Sequence, residues 1–260
     1  MSQFTGLLTD PVALANYKRR LPAVGSAPNP RNTYDRDQLI AISKDPQRNP
    51  IPQMRQDDQT QTNTCAAHAG SNVRERTLLP LTVQLSRMFL YLQARYEFAQ
   101  NFQDNGTSIQ SIISVLTRLG IPREELFPWG TWVRSKTELD RLCTPELLAD
   151  AAVRKIDTWT EATDDFDNAV ARVLMGDPIL WGTGWPFPNG QSGGHATAPL
   201  WAEWTGQDWN LLVFNSHQGN MVFRCSRNQY ITAIRQSPFG AYHVEGTKNL
   251  RFDPKTQTLL

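Results

Sequence analysis

Along this chain the spacing of the hydrophobic residues changes, and that change limits the folds open to it. Leu85, Met88, Phe89, Leu92 and Tyr96, then Ile109, Ile112, Ile113 and Leu116, recur at the interval that lines one face of a helix. Thr107 and Ser108 are capping candidates for the second of these helices, and Gly120 with Pro122 ends it. A third helix is predicted from Thr163 through Phe166, Val170, Val173 and Leu174 to Gly176. After it the texture alters. Pro178-Ile-Leu-Trp-Gly-Thr reads as a buried strand. The segments around 196–204, 209–214, 220–225 and 240–245 are short, rich in aromatic and β-branched residues, and separated by Gly, Asn and Ser. A chain that runs helices first and antiparallel strands afterwards belongs to the α+β class.

The N-terminal part has a different character. Seven of the 17 prolines precede Cys65, and Leu21 to Arg36 has the Pro, Gly, Ser and Asn content of a linker. Residues 1–37 are therefore read as an arm. Asp10 followed by Pro11 is a helix start, and Lys18, Arg19 and Arg20 suit the negative end of the dipole, which predicts a short helix over 11–20. An arm of this kind is expected to dock on a larger protein assembly or to wrap its own domain.

Charge excludes two kinds of partner. With 26 basic and 25 acidic side chains the net charge is +1, too small to draw phosphate backbones or anionic lipid, so neither nucleic acid nor membrane is expected. Cys65, Cys143 and Cys225 are odd in number and widely spaced, which argues against both a disulfide framework and a thiolate metal cage. No segment has the apolar run of a secretory signal or a membrane span, so a cytoplasmic location or one within a virus particle is expected.

Cys65 lies in Asp58-Gln59-Thr-Gln61-Thr-Asn-Thr-Cys65-Ala-Ala-His68-Ala, turn-like before the cysteine and helix-permitting after it. A thiol at a helix start meets free backbone N–H groups and the positive dipole end, which favour the thiolate that a sulfur nucleophile requires. Taken alone, a cysteine is more often a small buried hydrophobe, so its neighbours in the sequence decide the reading.

Those neighbours resemble the papain family, whose nucleophile segment reads Asp-Gln-Gly-Gln-Cys-Gly-Ser-Cys-Trp-Ala-Phe-Ala. Further short matches follow in order: Leu85-Ser86, Gly106-Thr-Ser, Gly120-Ile, Phe127-Pro128-Trp129, Gly193-Gly194-His195-Ala196 and Phe214-Asn215-Ser216-His217. Asp45-Pro-Gln-Arg48 is similar to the family's mature start. The resemblance covers residues 38 to 245. It implies a two-lobe fold, with a helical lobe over 38–155 carrying the nucleophile, a strand-rich lobe over 156–260 carrying the base, and a cleft between them. It also implies Cys65 as nucleophile, His195 as general base, Asn215 orienting the imidazole, and Gln59 with the Cys65 N–H holding the oxyanion. Gly106, Thr107, Gly194 and His217 are the implied cleft residues. The reaction implied is hydrolysis of a peptide or isopeptide bond in a peptide or protein substrate through a thioester, with no metal or organic cofactor.

The departures are specific. Thr62 stands where many secreted relatives have a disulfide cysteine, Ala66 follows the nucleophile in place of Trp, and His217 replaces the Trp that shields the His–Asn bond. These suggest an alternative, a weakly active or inactive domain serving as a component of an assembly such as a virus particle. Gly190-Gln-Ser192-Gly-Gly194 also fits a serine nucleophile elbow, with Asp208 and His217 or His243 downstream. That elbow needs a helix after the serine, whereas His195 to Trp204 reads as a strand. Cys65 and His68 have no second ligand pair, so His68 is expected to pack as an aromatic.

Overall fold

The computed structural model describes residues 34–55, 57–79, 82–184, 193–217 and 222–246, and the backbone of 252–253 and 258–259. The predicted helix over 11–20 and most of the arm lie outside the described residues.

Eight helices are described: α1 Arg36–Lys44, α2 Cys65–Leu78, α3 Arg87–Ala99, α4 Ile109–Arg118, α5 Lys136–Leu142, α6 Pro145–Ala152, α7 Phe166–Met175 and α8 Arg227–Gln236. Local chemistry sets their ends. The side chains of Ser86, Ser108 and Asp165 accept from the backbone N–H groups of Phe89, Ser111 and Asn168, so each predicted helix starts at a side-chain cap. Gly176 closes α7 in the left-handed conformation. Helices α5 and α6, of seven and eight residues, are too short for hydrophobic period to reveal them, and α8 buries only Tyr230 and Ala233, although Thr144-Pro145-Glu146 is a helix start with the cap and the ring in place.

The strands β1 Ile156–Glu161, β2 Ile179–Gly184, β3 Gly194–Trp204, β4 Trp209–Phe214, β5 Val222–Ser226 and β6 Ala241–Gly246 form one sheet in the order β1-β6-β2-β3-β4-β5. Every neighbouring pair is antiparallel. A separate pair, β7 Phe252–Asp253 and β8 Thr258–Leu259, follows. Pro199 sits inside β3 opposite Val213 of β4, beyond the stretch of β3 that pairs with β2, which ends at Thr197. The pairing of β3 with β4 shifts register between Pro199 and Trp201, so the proline borders the irregularity at Leu200.

The sheet separates two cores. Against one side lie α2, α3 and α4, which bury Val73, Phe89 and Ile112 together with Ala196, Ala198 and Leu200 of β3. Against the other lie α1, α7 and α8, with Leu39, Val170 and Tyr230 packed on Trp181, Trp201 and Leu211. Each fully buried aliphatic side chain contributes about 2 kcal/mol of transfer free energy. Helix α1 lies across the expected boundary between arm and helical lobe. It begins at Arg36, within the segment read as arm, and its apolar residues Leu39 and Ile42 join the core of the strand-rich half.

Helix α2 runs between the layers, buried along its whole length except at Thr77. Its tight fit depends on Gly70, where an added Cβ would lie 2.4 Å from Ile112 Cγ2. The chain accordingly delivers the first residue of α2, Cys65, into the junction between the helices and β3.

Candidate active site

Cys65 is the first residue of α2 and is fully buried. Thr64 before it has backbone angles of φ −102° and ψ 14° and makes no side-chain cap bond to the helix. Its hydroxyl turns instead to Thr62 Oγ1 at 2.7 Å and His68 Nδ1 at 3.3 Å. Without that cap the first amides of the helix are available to the sulfur, and the N–H groups of Cys65 and Ala66 both favour its anionic form. The N–H of Ala196 on β3 acts on the sulfur in the same sense, which puts the strand after His195 directly at the thiol. Burial works against all three and pushes the Cys65 thiol up to about 12. The resting thiolate expected at a helix start thus meets an opposing desolvation, and the sulfur needs a base beside it to lose its proton near neutral pH.

His195 stands near the start of β3, buried, with its Nε2 2.6 Å from Asn215 Oδ1. Asn215 follows the end of β4, so two adjacent antiparallel strands place the pair. The bond requires a proton on Nε2, since the amide oxygen only accepts, and this leaves Nδ1 as the basic nitrogen. The Asn215 amide nitrogen donates to His217 O at 3.2 Å, while the His217 N–H donates back to Asn215 Oδ1 at 3.2 Å. The His217 ring, half-buried, lies edge-on to that of His195 with 6.1 Å between centroids. It therefore covers part of the surface that a larger Trp would shield.

Gln59 is fixed through its main chain and its side chain, its carbonyl accepting from Thr62 N and Oγ1. Its N–H donates to Ser216 O at 2.7 Å, its Oε1 accepts from Ser216 Oγ at 2.7 Å, and its Nε2 donates to Thr62 O at 2.7 Å. These bonds tie the loop before Cys65 to the residue after Asn215. Sequence reasoning misses Ser216, although it lies beside Asn215. It also misses Asp104, whose carboxylate accepts from Asn63 N at 3.1 Å and Tyr91 Oη at 2.8 Å, and whose carbonyl accepts from Asn63 Nδ2 at 2.6 Å. Asp104 thereby holds the residues leading into α2, and the turn Asp104-Asn105-Gly106 is the signal that could have found it.

Among the other implied cleft residues, Gly106, Thr107 and Gly194 are buried. The Gly106 carbonyl accepts from Arg95 Nη1 at 2.8 Å and its N–H donates to Tyr91 Oη at 3.2 Å. His68 packs as expected, buried and edge-on to Trp129 at 5.0 Å, with burial and the Arg87 charge lowering its pKa to about 3. Ser192 lies outside the described residues, and the strand that starts at Gly194 leaves no helix to complete a serine elbow. Among the described residues no three His, Cys, Asp or Glu side chains are grouped to hold a metal ion, and no helix is long and apolar enough to cross a membrane.

No protein-family model and no curated protein matches the chain. Solved structures do. Xylellain, a cysteine protease from Xylella fastidiosa, aligns over 95% of this chain and 97% of its own at a TM-score of 0.66 and 18% identity. Procathepsin B S9 from Trypanosoma congolense aligns over 95% and 87%, with a TM-score of 0.61 and 11% identity. The proform of the ragweed pollen cysteine protease Amb a 11 aligns over 95% and 75%, with a TM-score of 0.60 and 13% identity. Agreement over nearly the whole chain at such low identity is agreement of architecture, and the chain has the papain-like two-lobe fold.

Proposed function

We propose that this protein is a cysteine peptidase that cleaves peptide or isopeptide bonds. The observation that carries the reading is the buried 2.6 Å bond between His195 Nε2 and Asn215 Oδ1, formed on the strand whose next residue, Ala196, acts on the Cys65 sulfur. In the proposed reaction His195 takes the thiol proton at Nδ1, and the sulfur attacks the scissile carbonyl carbon. The carbonyl electron pair moves onto oxygen and is met by the backbone N–H of Cys65, with the second N–H of the Gln59 amide assigned to the same oxygen. Collapse expels the amine, which leaves with the proton from His195, and a thioester remains on Cys65. Water, deprotonated by His195, then releases the acid and restores the thiol. Asn215 keeps the ring in the Nε2–H tautomer and stabilises the imidazolium as it forms.

Cys65→Ala tests the assignment on an unfolded protein substrate. Turnover is expected to fall by about 10⁴ or more, the loss seen when the attacking group of an acyl-transfer enzyme is removed. The melting temperature should stay near that of the parent, because the replacement is small and helix-compatible. Unchanged proteolysis in a folded Cys65→Ala protein would exclude Cys65 as the nucleophile.

A further inference from the structure

Away from the candidate active site, a cavity of about 220 Å³ opens between the loop after α1, the last turn of α2 and the end of α7. Arg48, Arg76, Gln47 and Gln53 line it, with Leu174 and Met175 along one wall. Arg76 is only 9% exposed. Its Nε donates to Leu200 O at 3.2 Å, and its guanidinium lies 5.5 Å from the centre of the Trp201 ring. These contacts fix the side chain without neutralising it. Among the described residues neither Arg48 nor Arg76 has a carboxylate within ion-pair distance. Asp177 attracts Arg76 from farther away, but its own carboxylate is 3.4 Å from Arg172 Nη2. Burial and the facing Arg48 charge lower the Arg76 pKa to about 10, still cationic at neutral pH.

Two guanidinium groups of like charge facing one cavity, one of them almost buried, call for a counter-ion. We infer that the cavity between Arg48 and Arg76 is a binding site for a tetrahedral oxyanion of the phosphate or sulfate class. Two planar forks present charged N–H donors to a dianion whose charge matches theirs, an arrangement suited to phosphate oxygens. Gln47 is the amide left to complete the shell, since Gln53 Nε2 donates to Asn49 O at 3.3 Å and Gln47 O at 3.5 Å. The position gives the site a role. Arg76 lies in the last turn of the helix that begins at Cys65, and through Leu200 it is bonded to the strand that carries His195. An anion held there braces the contact between the two elements that bring nucleophile and base together.

The test uses the full chain and thermal unfolding near neutral pH, with phosphate or sulfate compared against chloride and acetate at equal ionic strength. Wild type should show a saturable rise in melting temperature with phosphate and with sulfate, but not with chloride or acetate. Saturation separates binding from the unsaturating stabilisation that such salts give by exclusion from protein surfaces. Arg48→Gln, at an exposed position, should weaken apparent phosphate binding roughly ten-fold. Arg76→Gln should abolish it, and if that variant does not fold, Arg48→Gln carries the test alone. Arg141→Gln, on the exposed face of α5, should behave as wild type. A shift that does not saturate, that chloride or acetate reproduces, or that survives in Arg48→Gln would overturn the site. The readout is binding, so the result stands whether or not Cys65 proves to be a nucleophile.

Discussion

Asn215 shows how one amide can hold an imidazole ring. Its oxygen accepts both the His195 ring N–H and the His217 backbone N–H, and its nitrogen is held by His217 O. Removing it leaves the ring able to rotate and to exchange tautomers, while nothing in the substrate's path changes. Asn215→Ala is therefore expected to lower kcat by about a hundred-fold, within the usual contribution of a positioned base, with KM changed far less. Steady-state kinetics on a short peptide decide it, and a rise in KM at unchanged kcat would assign Asn215 to substrate binding. Cys65 presents the opposite balance. Helix amides and the Ala196 N–H favour the thiolate, desolvation disfavours it, and the thiol ends well above its ordinary value. Labelling by a thiol-directed electrophile near neutral pH should accordingly depend on His195, and His195→Gln should slow it by at least about ten-fold, since proton removal is then left to solvent.

At the scale of elements, short connections decide where the helices can go. Gly120 follows α4 with φ +80°, and an added Cβ would stand 2.0 Å from the Ala151 carbonyl oxygen at the end of α6. The collision is with backbone, which cannot rotate away as a side chain could. Gly120→Ala should thus destabilise the protein by about 3 kcal/mol or more, combining left-handed strain with the displacement of α6. Denaturant unfolding measures this, and a loss under about 1 kcal/mol would show that α6 moves freely. The sequence marks Gly120 as a helix stop, which it is. That it is also a contact surface for α6 is invisible there, because the residues that crowd it lie some thirty positions further on.

The whole molecule carries its titration in the layers on either side of the sheet. His68 and His243 are buried and lowered to about 3, chiefly by desolvation and then by the charges of Arg87 and Arg172. Between pH 3 and the ordinary imidazole value of 6.5, the unfolded chain binds protons that the folded chain refuses. Each histidine therefore withdraws stability as pH falls through that window. Glu75 acts in the opposite sense, since burial raises it to about 7 and its favourable contribution is lost as pH rises from 4.5 through 7. His68→Phe keeps the ring against Trp129 and isolates one of these effects. The stability of the variant relative to wild type should improve as pH drops from 6.5 toward 3, by up to about 1.4 kcal/mol per pH unit. Parallel stability–pH curves would mean that His68 is protonated in the folded state.

What the sequence determined by itself is what local physics controls. Hydrophobic period reveals α3, α4, α7 and the strands β2 to β6, the cap at Ser108 follows from a side chain bonding to backbone three residues on, and the stop at Gly176 from the left-handed backbone that glycine allows. The ordered matches around Cys65, His195 and Asn215 belong to the same level, since each is a short segment with its own composition. Tertiary structure alone decided that α1 joins the far side of the sheet, that Thr64 leaves the first turn of α2 uncapped, and that Ser216 and Asp104 lock the loop ahead of Cys65. It also decided that Arg48 and Arg76 face one cavity. These features depend on pairs far apart in the chain, Gln59 with Ser216 and Asn63 with Asp104 among them, whose meeting is set by how the layers pack. Charge and burial then settle the proton on Cys65, because desolvation is a property of the closed interior and has no counterpart in the spacing of residues.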